Sequence, residues 1–263
     1  EMCIRDRKYD IYYRVHAQNF GWLDWAKNGA ASGTEGYSYR LEAIEIKLVK
    51  KGEGAPGPTE NIFYKYNSWV ANLKAARTSS QLIIVSASNG SYADVSMHTK
   101  DNEGIWQDKF NVSGRIGKNG INKISEGDGK TPTGIYSFGQ AFGLADDPGS
   151  SKDYLKVNDN HYWVDDVNSK YYNKLVDIRE TGIQWSSAEH LIGYAKAYKY
   201  ALALDFNKAC IPGMGSAIFL HCNTSNATAG CISIPEDNMV YILKNLKSDA
   251  KIIIDYSGNI SNY

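Results

Sequence analysis

No stretch of this chain approaches the roughly 18 consecutive apolar residues of a membrane-spanning helix, so a helical span is not expected. Net charge is also lacking. The 29 lysines and arginines balance 29 aspartates and glutamates, and no block of one sign stands out, which leaves nucleic acid without an electrostatic footprint. Cysteine is scarce: Cys3, Cys210, Cys222 and Cys231 are too few for a disulfide scaffold, and no pair has the C-x-x-C spacing of a zinc knuckle. A Cys210–Cys222 bridge is an open alternative, because the geometry a disulfide demands is not written in sequence. The opening "EMCIRDRKYD" shows no charged start, apolar run and cleavage site, so it carries no secretory signal. Tyr9–Tyr13 already reads as strand, which suggests a fragment of a longer protein, and "MCIRDR" resembles a translated sequencing adapter. Residues 1–7, Cys3 included, are therefore set aside, and the missing signal says little about where the full protein goes.

What is present is an ordinary hydrophobic content of 43%, enough to bury a core, with 19 tyrosines and six tryptophans. Aromatics in such numbers suit β-rich structure and surfaces that grip sugars or peptides. Residues 8–49 form one compact pattern, with a strand of alternating aromatics at the start and another at the end, where Leu41, Ile44, Ile46 and Leu48 are apolar. Between them lie Trp22 and Trp25 and a Gly/Ser/Thr turn at "ASGTEG"; the tryptophans serve either as a miniature core or as exposed ligand-binding rings. The run "VHAQNFGWLDWAKNG…GTEGYSYRLEAIEIKL" resembles the clostridial hydrophobic (ChW) repeat over nearly its full length. The resemblance implies a module of secreted or surface proteins that takes a cell-wall polymer or another surface ligand.

Residues 50–61, "KKGEGAPGPTEN", have the Gly/Pro-rich composition of a linker, and residues 62–257 read as a second domain. "NSWVANLKAA" predicts a short amphipathic helix with Trp69, Val70 and Leu73 on one side. Strands are predicted at 81–88, at "YADVSMHTK", and at 106–114, 134–138, 200–205, 217–222 and 252–256. One clear helix should start after Pro235, with Glu236 and Asp237 in its first turn, and run to about Leu246. The domain is thus expected to be mainly β with marginal helices, an α+β arrangement.

Its chemistry centres on "TAGCISIPEDN". A thiol attacks well only as thiolate, so a catalytic cysteine needs a partner that takes its proton. His221 closes the apolar run "SAIFLH" ten residues before Cys231 and fits that role. Glycine at 230 would let backbone N–H groups of Gly230 and Cys231 approach a substrate carbonyl. On residues alone, three readings stay open: an inert buried thiol, a nucleophile, and a zinc site from His221, Cys222 and Cys231.

Thr228-Ala229-Gly230-Cys231 with His221 upstream resembles the active-site signature of the L,D-transpeptidase catalytic domain (YkuD type). In order before and around it stand "GRIGKNGI", "EGDGKTPTGIYSFGQAFG", "YWVDDVNSKYYNKLV", "YALALDFN" and "GSAIFLHC", so the similarity spans residues 62–256. It implies a YkuD-like β-sandwich and transfer of peptidoglycan stem peptides through a thioester on Cys231, giving 3→3 cross-links, or L,D-carboxypeptidase action if water is the acceptor. It implies no cofactor and no metal, and a secreted, cell-wall location. Many relatives carry a histidine before the Gly-Cys pair, where this chain has Ala229, so His221 must act as the sole base. The branch that "GSAIFLHC" resembles often lacks that second histidine, so Ala229 is not read as inactivation. An inactive transpeptidase domain on a wall-binding protein, and a thiol hydrolase of other peptides, are the rival readings.

Thr228 is a candidate for holding His221 or the turn, and "GDGKTPTG" for a rigid turn beside the cleft; it lacks the order of a phosphate loop. Trp163, Asp165 and Asp166 in "YWVDD" are candidate cleft walls, and Glu189 and His190 candidate supporting groups; all five are taken as substrate-binding candidates, with packing or surface roles as the alternative. Cys222, next to His221 on a strand, should point to the opposite face and into the core. His16 and His98 have no partner apparent in the sequence and are expected at the surface or in turns.

Overall fold

A computed structural model describes residues 8–224 and 226–263, so Cys3 lies outside the described residues. The chain divides into two compact units, Glu1–Asn67 and Ser68–Tyr263.

In the first unit, the strand Tyr9–Ala17 pairs antiparallel with Leu41–Lys50 on one side and with the short strands Gly21–Trp22 and Ala26–Lys27 on the other. Only one of the two tryptophans forms the miniature core: Trp25 is 3% exposed and Trp22 44%. The Arg14 guanidinium stacks over both rings, 4.9 and 4.8 Å from their centres. His16 does have a partner, since its Nδ1 lies 2.9 Å from Glu42 Oε2 and its ring packs edge-on to Trp22. Leu41, Ile44, Ile46 and Leu48 remain exposed.

Part of the Gly/Pro-rich segment is pinned to this unit. Trp25 N–H donates to Pro58 O at 2.9 Å, Asp24 N–H to Asn61 O at 3.2 Å, and Phe63–Lys65 pairs in parallel with Gly33–Glu35. The indole of Trp25 is the physical reason. Gly57 sits so close that a Cβ there would come within 3.2 Å of it, so the segment covers the ring.

The second unit is built on a ten-stranded sheet. In spatial order its strands are Gly134–Tyr136, Lys251–Tyr256, Gln81–Ala87, Tyr92–Lys100, Trp106–Arg115, Ile232–Ile234, Phe219–Cys222, Ala201–Leu204, Phe138–Gly143 and Tyr154–Lys156. Three pairings are parallel: Lys251–Tyr256 on Gln81–Ala87, Phe219–Cys222 on Ile232–Ile234, and Phe138–Gly143 on Tyr154–Lys156. A separate three-stranded antiparallel sheet sets His161–Val164 between Leu175–Asp177 and Ala188–His190. The fold is mainly β with marginal helices, as the patterning indicated.

The helix Glu236–Asn245 follows Pro235 and buries Met239, Ile242 and Leu243 against the sheet, with Glu236 and Asp237 in its first turn favouring the dipole. The amphipathic helix predicted at "NSWVANLKAA" is instead two 3₁₀ turns, Trp69–Asn72 and Lys74–Arg77. Leu73 between them is extended (φ −73°, ψ 146°), which buries Val70 and Leu73 but leaves Trp69 outside. His98 also departs from expectation: it is 2% exposed, its Nδ1–H donates to Asp108 Oδ1 at 2.6 Å, and Ser96 Oγ meets its Nε2 at 2.8 Å. A buried imidazole must be satisfied: Ser96 on its own strand and Asp108 on the strand beyond the 101–105 turn do so, and Ser68 Oγ lies 3.0 Å from Nδ1 as well.

Alternation along Phe219–Cys222 places the site. Leu220 and Cys222 enter the cluster around Ile83, Val95 and Ile234, whereas Phe219 enters a second cluster with Phe142, Trp163, Tyr198 and Cys231. Cys222 is therefore core on the face opposite His221. Its thiol lies 3.6 Å from Tyr200 O, and both Cys222 and Cys210 are free, so they form no disulfide.

Candidate active site

Two loops and its own threonine hold the Thr228–Cys231 turn. Thr228 Oγ1 donates to Cys231 O at 2.6 Å and accepts from Gly230 N–H at 3.2 Å, so its hydroxyl braces the turn rather than His221. Thr131, in "GDGKTPTG", donates its hydroxyl to Gly230 O at 2.7 Å and accepts from Gly117 N–H at 2.9 Å. Gly117 is in contact with the same loop: a Cβ there would lie 2.4 Å from Gly129 O. At Gly230 a Cβ would meet Lys130 O at 2.9 Å and the Ile218 side chain at 3.1 Å, so only glycine fits beneath that loop.

The Cys231 thiol is buried. It donates to Ala217 O at 3.2 Å and accepts from Phe219 N–H at 3.3 Å, and burial pushes it well above the usual thiol range. Ala217 is a non-glycine residue in the left-handed region (φ 53°), a local strain stored at the carbonyl that holds the thiol. His221 Nδ1–H donates to Cys222 O at 2.8 Å, which leaves Nε2 as the acceptor nitrogen. Burial lowers the imidazole to about 4, against the opposing pull of the Cys222 carbonyl. Both groups are thus held neutral, and no hydrogen bond joins them among the described residues. Tyr198 packs edge-on to His221, its ring centre 5.5 Å away.

In front of the thiol is a pocket of about 190 Å³ lined by Cys231, Gly230, Ala217, Lys123, Glu126, Asp165 and Glu189 among others. Lys123 Nζ pairs with Asp128 at 2.9 Å, with both side chains largely buried. Glu126 Oε2 accepts from Tyr172 Oη at 2.6 Å and from Ser216 Oγ at 2.7 Å. Glu189 Oε2 accepts from Tyr198 Oη at 2.5 Å.

The five substrate-binding candidates therefore separate. Asp165 and Glu189 line the pocket; Trp163, Asp166 and His190 do not. Trp163 is buried behind the thiol in the Phe142–Phe219 cluster. Asp166 ties its own loop by accepting from Asn168 N–H and from Ser186 N–H and Oγ. His190 stacks on Tyr162 at 4.2 Å and bonds Asp159 O through Nε2. Their side chains are spent on packing and loop bonds, which local sequence does not reveal.

Sequence reasoning missed Asn173. Its Oδ1 accepts from Trp163 Nε1–H at 3.0 Å and Ala217 N–H at 3.1 Å, while Nδ2 donates to Phe206 O and Asn207 O. It links the second sheet to the residue that holds the thiol. Lys123, Asp128 and Glu126 were missed as well; their signal was charge inside otherwise Gly-rich loop motifs. Among the described residues no three His, Cys, Asp or Glu side chains are grouped as metal ligands, and the zinc alternative is not assembled.

A buried cysteine under a glycine turn, a histidine of set tautomer on the neighbouring strand and a pocket walled by carboxylates are all held by one sheet-built domain. Comparison supplies the family. The model of the L,D-transpeptidase catalytic domain matches residues 80–254, more than half of the chain, and the chain belongs to that family. The clostridial hydrophobic W model matches residues 16–50. A search of curated proteins found no match. The two domain identities point to a cell-wall enzyme of the transpeptidase family, and no helix among the described residues is long and apolar enough to cross a membrane.

Proposed function

We propose that the chain is a peptidoglycan L,D-transpeptidase that works through a thioester on Cys231. What supports this reading is a buried thiol at the pocket wall together with a neutral histidine, on the strand paired with the one that follows Cys231, whose Nδ1–H is already donated to Cys222 O. Proton transfer needs the S–H to leave the Ala217 carbonyl for His221 Nε2. Sγ then attacks the carbonyl of the L,D peptide bond after the third residue of a stem tetrapeptide. His221 gives the proton to the departing amine, D-alanine leaves, and the thioester remains. An amine of a neighbouring stem resolves it to a 3→3 cross-link; water would give a carboxypeptidase product. Gly230 N–H is already donated within the turn, so we assign the oxyanion contact to Cys231 N–H. Thr228 and Gly230 act by shaping the turn. The N-terminal unit, on this reading, holds a cell-wall polymer.

One observation favours the rival of a wall-binding protein with an inert domain: the thiol bonds Ala217 O and not the imidazole. A single experiment decides. A carbapenem, whose strained amide acylates a nucleophile, is incubated with the protein and the intact mass is recorded. One adduct is expected on the parent chain and none on Cys231→Ala. No adduct on the parent overturns the enzymatic reading, and an adduct that persists in the variant moves the nucleophile elsewhere, with Cys222 the first to examine. Analysis of stem-peptide products then separates cross-linking from trimming.

A further inference from the structure

Proton bookkeeping in the second half-reaction exposes a need that His221 cannot meet alone. The acceptor is a primary amine, which reaches the pocket as an ammonium, since a side-chain amine has a pKa near ~10.4. To become an amide nitrogen it must lose two protons. His221 takes one and returns it to the departing Sγ. The other needs a second base at the pocket, whereas a water acceptor, with one proton to lose, needs none.

We propose, resting on the reading above, that Glu189 is this second base and takes the first proton from the acceptor ammonium. Glu189 lines the same pocket as Cys231 and Gly230. Its Oε2 is held by Tyr198 Oη at 2.5 Å, and its Oε1 has no hydrogen-bond partner among the described residues. Tyr198 in turn packs on His221, so the two bases flank one aromatic ring. Asp165, in the same wall, has a buried Oδ1 without a hydrogen-bond partner, an acceptor left for a donor that comes with the substrate.

The other acids are less suited. Glu126 spends Oε2 on Tyr172 and Ser216, and Asp128 is committed to Lys123, which with backbone N–H bonds holds it down to about 2 although burial opposes this. Glu189 goes the other way. Burial raises its carboxyl to about 7, Tyr198 pulls it down, and the charges of Asp165 and Glu126 push it up. Lys123, Tyr194 and Cys231 complete the titratable groups around it.

The step balances. Glu189 carboxylate accepts H⁺ from R–NH₃⁺. The nitrogen lone pair attacks the thioester carbon, the C–N bond forms and the C–S bond breaks. The second N–H proton passes through His221 to Sγ, and protonated Glu189 returns its proton to solvent.

The test uses the full chain with a tetrapeptide donor and a second stem peptide bearing a free side-chain amine, from pH 5.5 to 9. Released D-alanine, cross-linked dimer and hydrolysed tripeptide are quantified by mass spectrometry. In Glu189→Gln the dimer is expected to fall about 10²-fold more than the D-alanine burst, with the ratio of tripeptide to dimer rising accordingly. The rise in dimer formation near pH 7 should vanish with it. An unchanged dimer-to-tripeptide ratio, or an equal fall of burst and dimer, overturns the proposal. Should Glu189→Gln fail to fold, Tyr198→Phe removes the bond that holds the carboxyl down, and the rise should move to higher pH; a rise that stays in place overturns it. A parent chain that releases no D-alanine defeats the transpeptidase reading itself, a separate outcome.

Discussion

His221→Gln is expected to slow thioester formation by about 10³–10⁴-fold while the sheet stays folded, because it removes the imidazole proposed above as the base for Cys231. Gln retains a donor for the Cys222 carbonyl but cannot take the thiol proton. The measurement is single-turnover acylation by a carbapenem, followed by mass. Loss of less than about tenfold would mean that another group deprotonates Sγ. The pH dependence has a defined sign. Burial holds the folded imidazole down at about 4, so the base is neutral across the whole range above that, and acylation should not lose His221 until the medium is well below pH 6.

Stability follows the same group. The unfolded imidazole binds its proton near 6.5 and the folded one near 4, so its contribution is complete above pH 6.5 and is lost as pH falls towards 4. At its limit that shift corresponds to about 3 kcal/mol. Urea unfolding at pH 7.5 and pH 4.5 should show a larger acid loss in the parent than in His221→Gln. An equal loss in both would show that the buried imidazole is not the titrating group.

Asn173→Ala is expected to destabilise the domain by about 2–4 kcal/mol, because it strands two donors and two acceptors at once. Asn173 itself sits at φ 55°, a conformation asparagine tolerates and alanine resists, which adds to the cost. The functional effect should exceed what the fold loses. Without Asn173 Oδ1, Ala217 has no anchor for its left-handed backbone, and its carbonyl no longer holds Sγ. Acylation of the folded fraction should drop by about 10²-fold. Asn173→Asp keeps the acceptor for Trp163 and Ala217 but loses the two donor bonds, and should fall between. Destabilisation with unchanged acylation would show that the Ala217 carbonyl does not position the thiol.

How far these features were legible depends on the range of the interactions that set them. The strands at 81–87, 92–100 and 251–256 and the helix after Pro235 could be read directly, because alternation and dipole-matched acids are local signals. The opposed faces of His221 and Cys222 follow from the strand's period of two. The 68–77 segment misled because its apolar spacing suits a helix, whereas extended Leu73 is set by packing on Val70, Leu82 and Trp106. His98 misled for a related reason: its partner Asp108 is brought opposite by strand register, which a lone histidine in sequence does not announce.

At the site, the sequence by itself determined the chemistry on offer: a thiol after a glycine, a histidine at the end of an apolar strand, and threonine-bearing turns. Only the tertiary structure decided the arrangement: Glu189 brought to the thiol's pocket from a separate small sheet and Asp165 from the loop after its central strand, and Trp163, Asp166 and His190 used for support. It also set Asn173 as the tie to Ala217. The reason is physical. Backbone periodicity is encoded residue by residue, but the partner of a buried polar group is chosen by whichever distant segment the fold brings within hydrogen-bond reach.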